Sequence, residues 1–213
     1  MSLLHRKPKP LAPEERTFRD DVLIVVITED TCAPEQYFNL IKARRVQVRV
    51  APSQGGHSSP QAILASARAL KQDPDFAAFD EFWLLLDTDH WTEPNHLGNF
   101  MTVISAAKGE GFQVAVSNPC FDLWLLLHHE AVTKDSPFEN CDAVGARFRE
   151  LKGKFNKTKL DRDHFNVDLA LLALARGQKL TPDLNDYQPP NPGTQIWALV
   201  QRALRDLIGK TRH

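Results

Sequence analysis

The sequence predicts an α/β protein: a mainly parallel sheet with helices on both faces, followed by a helical carboxyl-terminal extension. Three observations predict it. Two short, continuous apolar runs, Val22–Ile27 and Phe82–Leu86, have the length and β-branched or aromatic character of strands buried on both faces. Strand-like and helix-like segments alternate about four times up to residue 130, the order that favours a parallel sheet. Residues 130–213 then carry helical periodicity with no convincing strand.

The elements follow in order. Residues 1–20 are charged and Pro-rich and read as an N-terminal arm. The first strand ends in the polar turn Thr28-Glu29-Asp30-Thr31. Pro34 suits the first turn of a helix, whose apolar stripe is Tyr37, Phe38 and Ile41. Val46, Val48 and Val50 alternate with Gln47 and Arg49, as in a strand near a sheet edge. A Gly- and Ser-rich loop over 52–60 leads to a helix capped by Ser59, with Ile63, Ala67 and Leu70 on one face. The second apolar run ends in Asp87-Thr88-Asp89. Phe100, Val103, Ile104 and Ala107 mark the next helix, closed by Gly109 and Gly111. Val114–Val116 is the fourth strand, ended by Ser117-Asn118-Pro119, and Phe121–His129 reads as a strongly apolar helix. Beyond it, 142–152, 166–179 and 194–209 read as helices. The organisation predicted is an arm (1–20), an α/β core (21–130) and a helical extension packed on it (131–213).

Composition narrows the function. A formal net charge of −1 excludes a polybasic nucleic-acid coat but not a local basic patch. No apolar run approaches the ~20 residues of a membrane span, so no membrane partner is expected. Cys32, Cys120 and Cys141 lack any CxxC or Cys/His zinc spacing and read as three separate reduced thiols in a cytoplasmic protein. Neither a Walker A loop nor GxGxxG is present.

In an open α/β sheet, ligands bind beyond the carboxyl ends of the strands. The first strand ends at Glu29 and the third at Asp87 and Asp89. If these strands are neighbours, three carboxylates converge. Two like charges ~4 Å apart repel by roughly 4 kcal/mol at an effective dielectric of 20, which favours either a raised carboxylate pKa or a bound cation. Oxygen-only donors favour Mg²⁺ or Mn²⁺ over Zn²⁺. The alternative is that a DxD at a strand end is a turn, where Asp bonds its own backbone.

Four segments in order, over about residues 16–208, resemble the RloB-like family of prokaryotic defence-associated proteins. They are LIVVITEDTCAPEQYF (Leu23–Phe38), FWLLLDTDH (Phe82–His90), SNPCFDLWLLLH (Ser117–His128), and the carboxyl part with Phe155-Asn156-Lys157-Thr158 and Asn191-Pro192-Gly193-Thr194. The resemblance implies a Toprim-like (Rossmannoid) fold, in which a Glu after the first strand and a DxD after the third form the catalytic metal centre. Those roles fall on Glu29, Asp87 and Asp89. Two departures stand out: Asp30 where the family usually has Gly, and Asp122 where it usually has Glu.

The expectation is then a nuclease dependent on Mg²⁺ or Mn²⁺, acting on RNA, transfer RNA among the candidates, or on DNA. Glu29 also serves as a candidate general base. Lys157 is the candidate phosphate contact, with Lys154 and Lys159 beside it, in a cationic segment that also holds Arg147, Arg149, Lys152 and Arg162. Such a run is otherwise a solvated helix face. His90, Ser117 and Asn118 are candidate substrate contacts; the competing readings are a surface His and a turn closed before Pro119. Phe155 is a candidate base-stacking ring or a core residue. Cys120 reads as a packed thiol. A sensor or restriction-system partner and a homo-oligomer are admissible. Two rival functions remain: a catalytically weak Toprim-like module that binds nucleic acid or a partner, and a nucleotidyl or phosphoryl transferase on the same metal site.

Overall fold

The computed structural model describes residues 22–51, 59–88, 94–185 and 188–205. Its sheet has five strands: β1 (Ile24–Thr28), β2 (Val46–Val50), β3 (Glu81–Asp87), β4 (Gln113–Asn118) and β5 (Gly193–Thr194). They run in the order β2-β1-β3-β4-β5. The first four are mutually parallel and β5 is antiparallel to β4. This is the mostly parallel α/β architecture the sequence predicts, consistent with a Toprim-like Rossmannoid fold.

Helices cover both faces because strand side chains alternate. Ile24, Val26, Trp83, Leu85 and Ala115 pack into one apolar cluster. It also holds residues of α1 (Ala33–Leu40), α4 (Phe121–Leu126), α5 (Cys141–Lys152), α6 (Val167–Leu180) and α7 (Ile196–Ala203). Val25, Ile27, Phe82, Leu84, Leu86, Val114 and Val116 pack into the other, against α2 (Pro60–Lys71) and α3 (Pro94–Gly109). The helix signals behave as their chemistry requires. Pro34 lies in the first turn of α1, Ser59 Oγ accepts from the Ala62 N–H at 3.2 Å to cap α2, and Gly111 after α3 has φ +82°.

The chain departs from the sequence expectation at four places. A two-residue strand, β5, lies in the segment read as strandless; it is too short to show periodicity. The apolar helix α4 stops at Leu126, and turn-type bonds carry the chain on through His129. A 3₁₀ turn, Arg162–His164, was not expected. Cys120 and Cys141 form a disulfide with Cα atoms 5.9 Å apart, leaving Cys32 as the free thiol. This corrects the reading of three separate thiols. The two cysteines meet because α4 and α5 pack together, a contact that 21 residues of separation do not advertise. Most of the 52–60 loop lies outside the described residues. No helix among the described residues is long and apolar enough to cross a membrane.

Candidate metal centre

From β1 the chain continues to β2 on one side, while β3 lies on the other. The carboxyl ends of β1 and β3 therefore flank the switch point of the sheet, the place where open α/β sheets bind ligands. Glu29 is the first residue beyond β1, and Asp87 is the last of β3; both are half-buried. The β1–β3 register ends at Thr28 opposite Leu85. Carried one step further, it sets Glu29 opposite Leu86, the residue before Asp87. Adjacent strands are about 4.8 Å apart, so two of the three predicted carboxylates stand on neighbouring strands at one rim. Asp89, with the candidate contact His90, lies outside the described residues. Among the described residues, no three His, Cys, Asp or Glu side chains form a metal-holding group.

The donors present nevertheless fit a hard divalent cation. Mg²⁺ is commonly held by one or two carboxylates and keeps several waters. Thr88, between the two acids of the DxD, is buried, and its Oγ1 has no hydrogen-bond partner among the described residues. Its backbone N–H is shared by the Ser117 and Pro119 carbonyls, each at 3.0 Å, which ties the rim of β3 to the end of β4.

The remaining predicted residues divide into two sets. Ser117 pairs with Asp87 across β3–β4, but it is fully buried and its hydroxyl bonds the Thr194 hydroxyl at 2.6 Å. Asn118 donates from Nδ2 to the Pro189 carbonyl at 2.9 Å. Both bonds hold the β4–β5 end of the sheet together. Lys154, Lys157 and Lys159 are exposed on the loop after α5. Arg147 leaves the cationic segment: Glu130 at 2.8 Å and Glu150 at 2.9 Å neutralise it.

One residue connects the second set to the acidic rim, and sequence reasoning missed it. Gln36, on α1, donates from Nε2 to the Cys32 carbonyl at 3.0 Å and to the Lys157 carbonyl at 3.2 Å. Its Oε1 accepts from the Leu160 N–H at 2.9 Å. Cys32 is three residues beyond Glu29, so one side-chain amide fastens the lysine loop beside the turn that carries the acid. Only an amide donates and accepts in this way, but nothing in the spacing of Gln36 and Lys157 announces the pairing.

The departures have structural roles as well. Asp30 Oδ1 accepts from the N–H groups of Cys32 at 2.8 Å and Ala33 at 3.0 Å. It therefore satisfies donors at the start of α1, which otherwise lack partners. Asp122 is buried in the first turn of α4, the end of a helix that favours negative charge.

A model of the family described as RloB-like protein matches residues 24–202. No curated protein and no solved structure gives a significant match to the chain.

Proposed function

The chain belongs to the RloB-like family, and on that premise we propose that it is a divalent-metal-dependent nuclease hydrolysing phosphodiesters of RNA or DNA in prokaryotic defence. The observation that carries the reading is that Glu29 and Asp87 end the adjacent strands β1 and β3 at the switch point, with a lysine loop bonded through Gln36 to the start of α1. Anionic and cationic groups side by side suit a substrate that is itself a phosphate diester.

Glu29, Asp87 and Asp89 would hold Mg²⁺ or Mn²⁺, and such an ion neutralises charge on phosphoryl oxygens and lowers the pKa of bound water. The side chains do the rest. A rim carboxylate, Glu29 first, accepts the proton of the attacking water as its oxygen bonds to phosphorus. Lys157 places a compact positive charge beside the phosphate as the bond to the leaving oxygen breaks. That oxygen takes its proton from solvent. A sensor or restriction-system protein that restrains the activity fits the family's defence setting.

The test is cleavage of labelled RNA and DNA by purified protein in Mg²⁺, Mn²⁺ or EDTA, with Asp87→Ala alongside. Cleavage that needs metal and falls at least a hundredfold in Asp87→Ala is expected. Binding of nucleic acid without cleavage in any metal would instead assign the protein as a binding module. Nucleotide-dependent product growth would assign a transferase.

A further inference from the structure

A cavity of about 460 Å³ opens between the end of α5, the loop that follows it and the 3₁₀ turn at Arg162–His164. That volume lies in the range of small-ligand pockets. The lining has two kinds of group. Phe148, Phe155, Phe165 and His164 supply aromatic rings. The Phe148 and Phe155 centroids are 4.4 Å apart with planes tilted by 34°, and Phe165 lies nearly parallel to Phe148 at 6.1 Å. Phe148 and Phe165 are buried in the core and Phe155 is only partly buried, so the cluster reaches the surface at Phe155.

Lys154, Lys159 and Arg162 form the second set. All three are exposed, and none makes an ion pair with a described residue. The carboxylate in the lining, Asp161, accepts from the Asp163 N–H at 3.0 Å and caps the 3₁₀ turn. The cavity therefore joins aromatic surface to an excess of positive charge. A flat heteroaromatic ring carrying a phosphate matches both: rings stack bases regardless of sequence, and cationic side chains hold phosphate by charge-assisted hydrogen bonds.

We propose that this cavity binds a nucleotide unit of a single-stranded nucleic acid, with its base against Phe155 and its phosphate among Lys154, Lys159 and Arg162. The inference rests on the nuclease reading for its choice of a strand over a free nucleotide. The same loop that lines the cavity is the one Gln36 fastens next to Glu29, so exposed cations run from the cavity toward the acidic rim. A strand gripped in the cavity would have its neighbouring phosphates led along Lys157.

The probe is a fluorescein-labelled ten-nucleotide oligo(U), with oligo(dT) beside it, titrated by anisotropy in EDTA over a salt series. Phe155→Ala is expected to weaken binding at least about fivefold. Because Phe155 packs on Phe148, a second variant acts only on exposed side chains: Lys154→Ala with Lys159→Ala. It should lower affinity and reduce the salt slope by about 1.4. Removing equal charge at Lys134 and Lys179, outside the cavity, should leave the slope unchanged. Cavity variants that behave like this control overturn the proposal, as does AMP competing with the affinity of the oligonucleotide. Binding in EDTA does not depend on turnover. Cavity-dependent binding without metal-dependent cleavage would sink the nuclease and spare the site; cleavage with binding indifferent to the cavity would do the reverse.

Discussion

His128 shows how one residue couples the core to solvent conditions. It is buried on the turn after α4, with Nδ1 3.0 Å from the Trp124 carbonyl and Nε2 3.2 Å from the Tyr37 hydroxyl. A carbonyl only accepts, so Nδ1 carries the proton and Nε2 accepts from Tyr37. Burial drives its pKa down to about 3, and nearby His129 and Arg176 oppose its charge as well. Burial also lowers His129, to about 4. The imidazoles stay neutral in the fold but protonate near pH 6.5 in the unfolded chain. Stability is therefore full above about pH 6.5 and falls as pH drops toward the folded-state values. For His128 the slope is about 1.4 kcal/mol per pH unit. Urea midpoints between pH 7.5 and 4.5 check this: a steady loss below pH 6.5, reduced in His128→Gln, is expected, and a flat profile contradicts it.

At the scale of elements, two glycines separate packing from helix propensity. Gly177 lies in α6 where α4 and α7 meet it; an added Cβ would approach Trp197 Cβ to 3.1 Å and the Trp124 ring to 3.2 Å. Trp197 is held by its indole N–H, 2.9 Å from the Thr181 carbonyl, so it does not yield freely. Gly98 in α3 has nothing within 4 Å of such a Cβ. Alanine gains about 1 kcal/mol of helix propensity at either site, but overpacking costs about 1–3 kcal/mol. Denaturant unfolding should show Gly177→Ala destabilised by about 1 kcal/mol and Gly98→Ala stabilised by a similar amount. Shifts of the same sign would contradict the packing account. The elements themselves were largely legible in the sequence. β1 and β3 stood out as continuous apolar runs, and Ser59 and Pro34 marked helix starts through local chemistry. What was not legible depends on distant pairing. β5 exists because Ser117 and Asn118, at the end of β4, offer Gly193 and Thr194 an edge to pair with, and the Cys120–Cys141 bond exists because α5 returns to α4.

For the whole molecule, the acids of the candidate site could be read at strand ends, yet the placing of Glu29 and Asp87 on one rim depends on strand order. Glu29 and Asp87 end adjacent strands because β3 inserts directly beside β1 while β2 takes its other edge. The lysine loop reaches the same rim because the carboxyl-terminal elements share an apolar cluster with α1 and the sheet, and because Gln36 bonds it in place. A single sequence carries neither fact, since the β1–β3 pairing spans 57 residues, as from Ile24 to Glu81, and the Gln36 bonds span 121 and 124. Ser117 and Asn118 could be read as candidates because they end a strand beside the acids, but their bonds to Thr194 and Pro189 depend on distant pairing. The central claim is that the rim holds a divalent cation, and Mn²⁺ titration by calorimetry tests it without any assumption about substrate. Wild-type protein should bind Mn²⁺, Glu29→Gln and Asp87→Asn should each weaken it at least tenfold, and Glu35→Gln, exposed on α1, should leave it unchanged. Absence of binding, or binding indifferent to both rim substitutions, would contradict the account.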